Sequence, residues 1–145
     1  MPIDKSFAAL NRASTDRLRN LAARLTDADL RHPVGVDWTV AVALAHLAFW
    51  DRRVSLILDR SQRDGKLFTP EIDVVANDTL LPFLAAMPGR EAARLALESA
   101  EALDHYLEAF QPALLEALYS VNQGWVVRAL HRGEHLDDIE AALKG

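Results

Sequence analysis

The sequence has no cysteine. Disulfides, thiolate metal ligands and a protein thiol nucleophile are therefore excluded. Any thiol chemistry has to use a thiol brought in from outside. Long apolar runs are missing too. The longest, Val40 to Trp50, is interrupted by His46 and stops at Asp51, which is too short to span a bilayer. There is no basic excess, since the formal net charge is -5 at pH 7. That argues against a nucleic-acid backbone or an anionic membrane as partner. The opening Met1-Pro2-Ile3-Asp4-Lys5 lacks a basic region followed by an apolar run, so it does not read as a signal peptide. No serine sits in a glycine-flanked elbow, which leaves Ser/His/Asp catalysis without support. A soluble, cytoplasmic protein acting on a small molecule is the expectation.

The chain has 145 residues, half of them apolar. That suits one domain, residues 1–145, with a core that needs no staples. Helical periodicity dominates, and no run alternates like a strand. The expected fold is all-α: a four-helix bundle with short extra helices in the connections. A first helix runs from about Lys5 to Leu25, with Phe7, Leu10, Ser14, Leu18, Leu21 and Leu25 as its core stripe. Thr26 and Asp29 have the spacing of a capping box in a polar turn, and His32-Pro33-Val34-Gly35 reads as loop. A second helix starts after Thr39, a good N-cap, and runs to about Asp59. It is apolar on nearly every side up to Trp50, so it should be the most buried. Ser61 to Pro70 reads as a polar loop, and Thr69-Pro70 as the start of the next helix. Pro82 should divide the stretch Glu71 to Met87 into two short helices. A third long helix covers Arg90 to Phe110, with Ala93, Ala96, Ala100, Leu103 and Leu107 inward. A short helix follows from Pro112, and a fourth long helix spans Trp125 to Lys144.

His131 and His135 stand at i and i+4 on that last helix. Two imidazoles one turn apart point the same way and can share one ion. His46 lies in the middle of the most apolar helix, where an unsatisfied polar ring is costly. It reads either as a core histidine bonded to a carbonyl or as a third ligand facing the pair. Three histidines would leave coordination positions open for water or substrate. Each ring's other nitrogen would then need a carbonyl, carboxylate or water. Arg128 and Arg132 bracket His131, as surface charge or as a grip on a substrate carboxylate. Glu134 precedes His135 and, a hundred degrees around the helix, should point away from it. His105 reads as exposed and His32 as a turn residue.

The chain resembles the DinB superfamily of four-helix metalloenzymes. More closely, it is similar to the metal-binding N-terminal domain of mycothiol-dependent maleylpyruvate isomerase. The resemblance rests on Asp37-Trp38-Thr39-Val40, Ala45-His46-Leu47, Asp73-Val74-Val75-Ala76-Asn77-Asp78 and the run from His131 to Glu140. It implies that His46, His131 and His135 hold a divalent metal, zinc or nickel, with iron also suited to three nitrogen ligands. It implies a reaction using a low-molecular-weight thiol such as mycothiol, either S-transfer or isomerisation. Arg128, Arg132 and Asn77 become candidate contacts to the thiol or substrate. The family's isomerase has a further C-terminal domain that helps form its active site. Related bundles often pair, so a homodimer is expected. Two other functions stay open: a metal-dependent hydrolase, and a non-catalytic binding or stress-response protein of the same fold.

Overall fold

The computed structural model describes residues 3–145. Met1 and Pro2, part of the N-terminal stretch read for a signal sequence, lie outside the described residues. Helix α1 (Ser6–Arg24) leads into the one-turn helix α2 (Asp27–Arg31). Both halves of the Thr26/Asp29 capping box form at the start of α2. Two short strands follow, β1 (Pro33–Val34) and β2 (Trp38–Thr39), where the sequence suggests loop alone. They pair antiparallel, Val34 opposite Trp38. Gly35 turns the hairpin with φ 70°, a left-handed conformation that glycine adopts without strain.

Helix α3 (Val40–Asp64) starts where expected, with the Thr39 hydroxyl accepting the Val42 N–H at 3.2 Å. It runs five residues beyond Asp59, and Gly65 ends it with φ 69°. Ser61 is therefore helical and buried, and its hydroxyl accepts the Phe68 N–H. Thr69-Pro70 starts no helix. The chain stays irregular up to α4 (Val75–Ala85), which begins where Asp73 accepts the Val75 N–H at 3.0 Å. Pro82 sits inside α4 without dividing it. Only one backbone N–H is lost there, on an exposed helix. Then come α5 (Gly89–Ala109), α6 (Pro112–Val121), a 3₁₀ turn (Gln123–Trp125) and α7 (Ala129–Lys144). The last helix thus begins four residues later than its periodicity suggests.

Four helices make the bundle. Both α1 and α3 pack against α5 and α7. Helix α3 supplies the most buried segment, Val42 to Ala48, as its apolar character requires. Leu10 is half exposed at 51%, and Asn11 takes the inward place beside it. The core falls into two apolar clusters. One gathers around Leu18, Leu44, Ala96 and Leu136, the other around Phe7, Leu58, Leu103 and Trp125. Between them on every bundle helix lie buried polar side chains: Asn11, Ser14 and Thr15 on α1, Asp51 on α3, Asp104 on α5, Arg132 on α7. This polar band fixes how α7 sits against the other three helices, and α7 carries two of the candidate ligands.

Candidate metal centre

Helix α7 has no side-chain cap of its own. Asn11 supplies one from α1, its carbonyl oxygen accepting the Ala129 N–H at 3.0 Å while its amide donates to the Val126 carbonyl at 2.9 Å. The start of α7 is thereby tied down, and one turn further along His131 and His135 project together. Their rings meet edge to face with centroids 4.7 Å apart. His46 comes from the buried segment of α3 to meet both, at 5.1 Å from the His131 ring and 4.5 Å from the His135 ring. The Nε2 atoms of His46 and His131 lie 3.1 Å apart. One nitrogen from each of the three rings falls within 4.8 Å of the others.

That donor set fits a divalent ion. With bonds of about 2.0–2.1 Å, a tetrahedral ion separates its ligands by roughly 3.3–3.4 Å. The His46–His131 pair is already near that edge, and small ring rotations would bring His135 in. Burial disfavours the protonated form of all three rings, and ligation requires the neutral form. Burial pushes His46 down to about 3, helped by His135 and the Arg128 charge. Burial also pushes His131 down to about 2, with Arg128 the next cause. His135 is lowered by burial as well, opposed by Asp138 and Glu134.

The histidines line a cavity of about 400 Å³. Trp38, delivered by the β hairpin, stacks on the His135 ring at 5.7 Å and 21°. It also tilts against His46 at 4.7 Å. The match of the chain to known proteins falls on this same frame. The family model for the mycothiol maleylpyruvate isomerase N-terminal domain matches residues 11–139. The chain belongs to this family. No curated protein and no solved structure matches it. The stretch matched to the mycothiol maleylpyruvate isomerase N-terminal domain begins at Asn11, the remote cap of α7, and includes all three histidines.

In this member of the isomerase N-terminal-domain family, the other candidate residues divide. Asn77 on α4 lines the cavity, and its oxygen accepts the Trp50 indole N–H at 2.9 Å. An indole only donates, so this contact fixes which end of the amide is oxygen and leaves the NH₂ group for other partners. Arg128 also lines the cavity, though it is buried at 5% exposure rather than free on the surface. Its Nε donates to Asp51 at 2.8 Å, Nη1 donates to the Gly124 carbonyl at 2.9 Å, and Nη2 faces His131 Nδ1 at 3.4 Å.

Arg132 is buried rather than surface charge, and it is not among the residues that line the cavity. It is 0% exposed and lies across the polar band. It pairs with Asp51 at 3.0 Å and Asp104 at 2.8 Å, and it also reaches Ser14 and Thr15. The reason is its position on the inward stripe Arg128, Arg132, Leu136, Ile139, all buried. Glu134 is exposed and is one of the residues lining the cavity. It stands three residues after His131, and i+3 neighbours share a helix face. Asp51 and Asp104 are the residues that the sequence reading missed. Asp51 stands one position past Trp50 at the end of an apolar run. Asp104 shares the inward face with Ala100 and Leu107. His105 is exposed, as expected, and His32 bonds the Pro33 carbonyl outside the site.

Proposed function

We propose that His46, His131 and His135 bind one divalent ion, zinc or nickel, and that the site serves a transfer or isomerisation reaction using a low-molecular-weight thiol such as mycothiol. The observation that carries this reading is the meeting of three imidazoles at one wall of a 400 Å³ cavity in a chain without cysteine. Membership in the isomerase N-terminal-domain family supports it. A bound divalent ion supplies Lewis acidity, which lowers the pKa of a thiol so that thiolate is available at neutral pH. The protein's own residues do the rest. Trp38 and Trp50 give the cavity apolar walls that restrict water around the reacting sulfur. The Asn77 NH₂ group, oriented by Trp50, donates to an oxygen of the thiol or substrate. Arg128 places a fixed positive charge in the wall for an acidic group. A cytoplasmic setting accords with this, since small thiols stay reduced there.

Glu134 on the rim favours a second reading, metal-assisted hydrolysis, in which its carboxylate would accept a proton from attacking water. One experiment separates the two. The chain is loaded with zinc or nickel and given mycothiol plus an electrophile, or an ester and amide panel. Metal-dependent consumption of thiol, lost in His135→Ala, supports the transferase reading. Hydrolysis lost in Glu134→Gln, with no thiol consumed, replaces it by the second. Neither activity at any metal loading refutes both.

A further inference from the structure

We propose that Arg128 is a positioning residue that holds down the metal affinity of the histidine cluster, and that Asp51 sets how strongly it does so. The inference rests on the metal-binding reading above. A guanidinium only donates and stays charged at any working pH. Its Nη2 faces Nδ1 of His131 at 3.4 Å, so that nitrogen is met by a donor. Nδ1 then keeps its lone pair, and the proton of the neutral ring sits on Nε2. That Nε2 lies 3.1 Å from Nε2 of His46 and donates to it. A chain of donors thus runs from Arg128 through His131 to His46 and fixes both tautomers.

This is the reverse of what a histidine ligand needs. A ligating ring normally directs its second nitrogen's N–H at a carboxylate, carbonyl or water. A cation taken through His131 Nε2 requires the proton to leave that atom. If the proton moves to Nδ1, it meets the guanidinium. The fixed positive charge of Arg128 opposes a cation at the cluster in addition. Arg128 cannot simply turn away, because Nε is held by Asp51 at 2.8 Å and Nη1 by the Gly124 carbonyl at 2.9 Å. Asp51 offsets the charge, but it shares its second oxygen with Arg132 at 3.0 Å. Arg132 is in turn paired with Asp104 at 2.8 Å. The neutrality of the pair therefore depends on a carboxylate with two claims on it.

The signs of two substitutions test this. Zinc affinity is measured in the full chain at pH 7.5 by competition with a chromophoric chelator. Arg128→Gln removes the charge and is expected to bind zinc at least about tenfold tighter, a shift typical of a ligand's hydrogen-bond partner. Asp51→Asn leaves the guanidinium without its counter-charge and is expected to bind at least about tenfold weaker. A purely structural role would weaken binding in every variant, so weaker or equal binding by Arg128→Gln overturns the proposal. A metal-free readout backs the titration should Arg128→Gln fail to fold. Long-range ¹H–¹⁵N NMR of the unliganded wild type should find the His131 proton on Nε2, and a proton on Nδ1 overturns the proposal. Wild type and His131→Ala binding zinc equally would instead refute the metal reading itself.

Discussion

Asn11, on the first helix, accepts the backbone N–H of Ala129 at 3.0 Å and so caps the last helix across 118 residues of sequence. The same amide donates to the Val126 carbonyl, so one buried side chain satisfies the turn before α7 and the start of α7 together. Asn11→Ala removes both bonds and strands a donor and an acceptor in the core. The expected loss is about 2 kcal/mol, from a lost cap and unsatisfied buried groups. Urea unfolding of wild type and variant measures it, and a change below about 0.5 kcal/mol would contradict the capping role.

Arg132 is the most consequential buried charge. Two carboxylates and two hydroxyls converge on it at 0% exposure. Arg132→Met leaves Asp104 without its cation in the core. Breaking a buried pair by removing one partner costs about 3–5 kcal/mol. That is a large part of the stability of a domain this size. Arg132→Met should therefore melt far below wild type in a thermal scan, whereas Arg94→Met on the exposed face of α5 should not shift the midpoint measurably.

How much of this was legible in the sequence follows from what periodicity can and cannot show. The four bundle helices and the deep burial of the first half of α3 follow from apolar spacing, which directly reports a face. The meeting of His46, His131 and His135 was legible because an i, i+4 pair and a polar ring in an apolar helix each demand an explanation. The charge of Arg132 hides its inward spacing. Four residues before Leu136 and seven before Ile139, it stands on the inward stripe, and only the partners Asp51 and Asp104 make that place tolerable. Those partners lie 81 and 28 residues away, beyond any local pattern. Thr69-Pro70 carries a cap signal without a helix behind it: the chain stays irregular up to Val75, where the Asp73 carboxylate accepts the Val75 N–H and α4 begins.

Acid should loosen the metal-free protein in a defined window. His46 and His131 are held at about 3 and about 2 in the fold, against about 6.5 in an unfolded chain. The unfolded state therefore binds more protons between those values. Stability contributed by keeping these rings neutral is complete above about pH 6.5 and is lost as pH falls toward 3. Each ring can cost up to about 1.4 kcal/mol per pH unit in that window. Urea midpoints in chelator at pH 7.5 and 5.5 check the sign. A midpoint that is unchanged or higher at pH 5.5 would contradict the burial of neutral rings.

A homodimer is proposed, since large apolar side chains stay exposed, among them Phe83 at 71% and Val74 at 72%. Light scattering at tens of micromolar should give twice the chain mass. A monomer mass at that concentration would refute it.

Metal titration is the most direct test of whether His46, His131 and His135 form one metal site. Zinc or nickel is added to wild type, His46→Ala, His131→Ala and His135→Ala near pH 7.5. Heat is recorded by calorimetry, together with the tryptophan emission that Trp38 contributes beside His135. One ion per wild-type chain is expected, with a change in emission. Each alanine variant should lose binding by at least about tenfold, since each removes a direct ligand. Equal binding of zinc and nickel by wild type and His135→Ala would contradict the site.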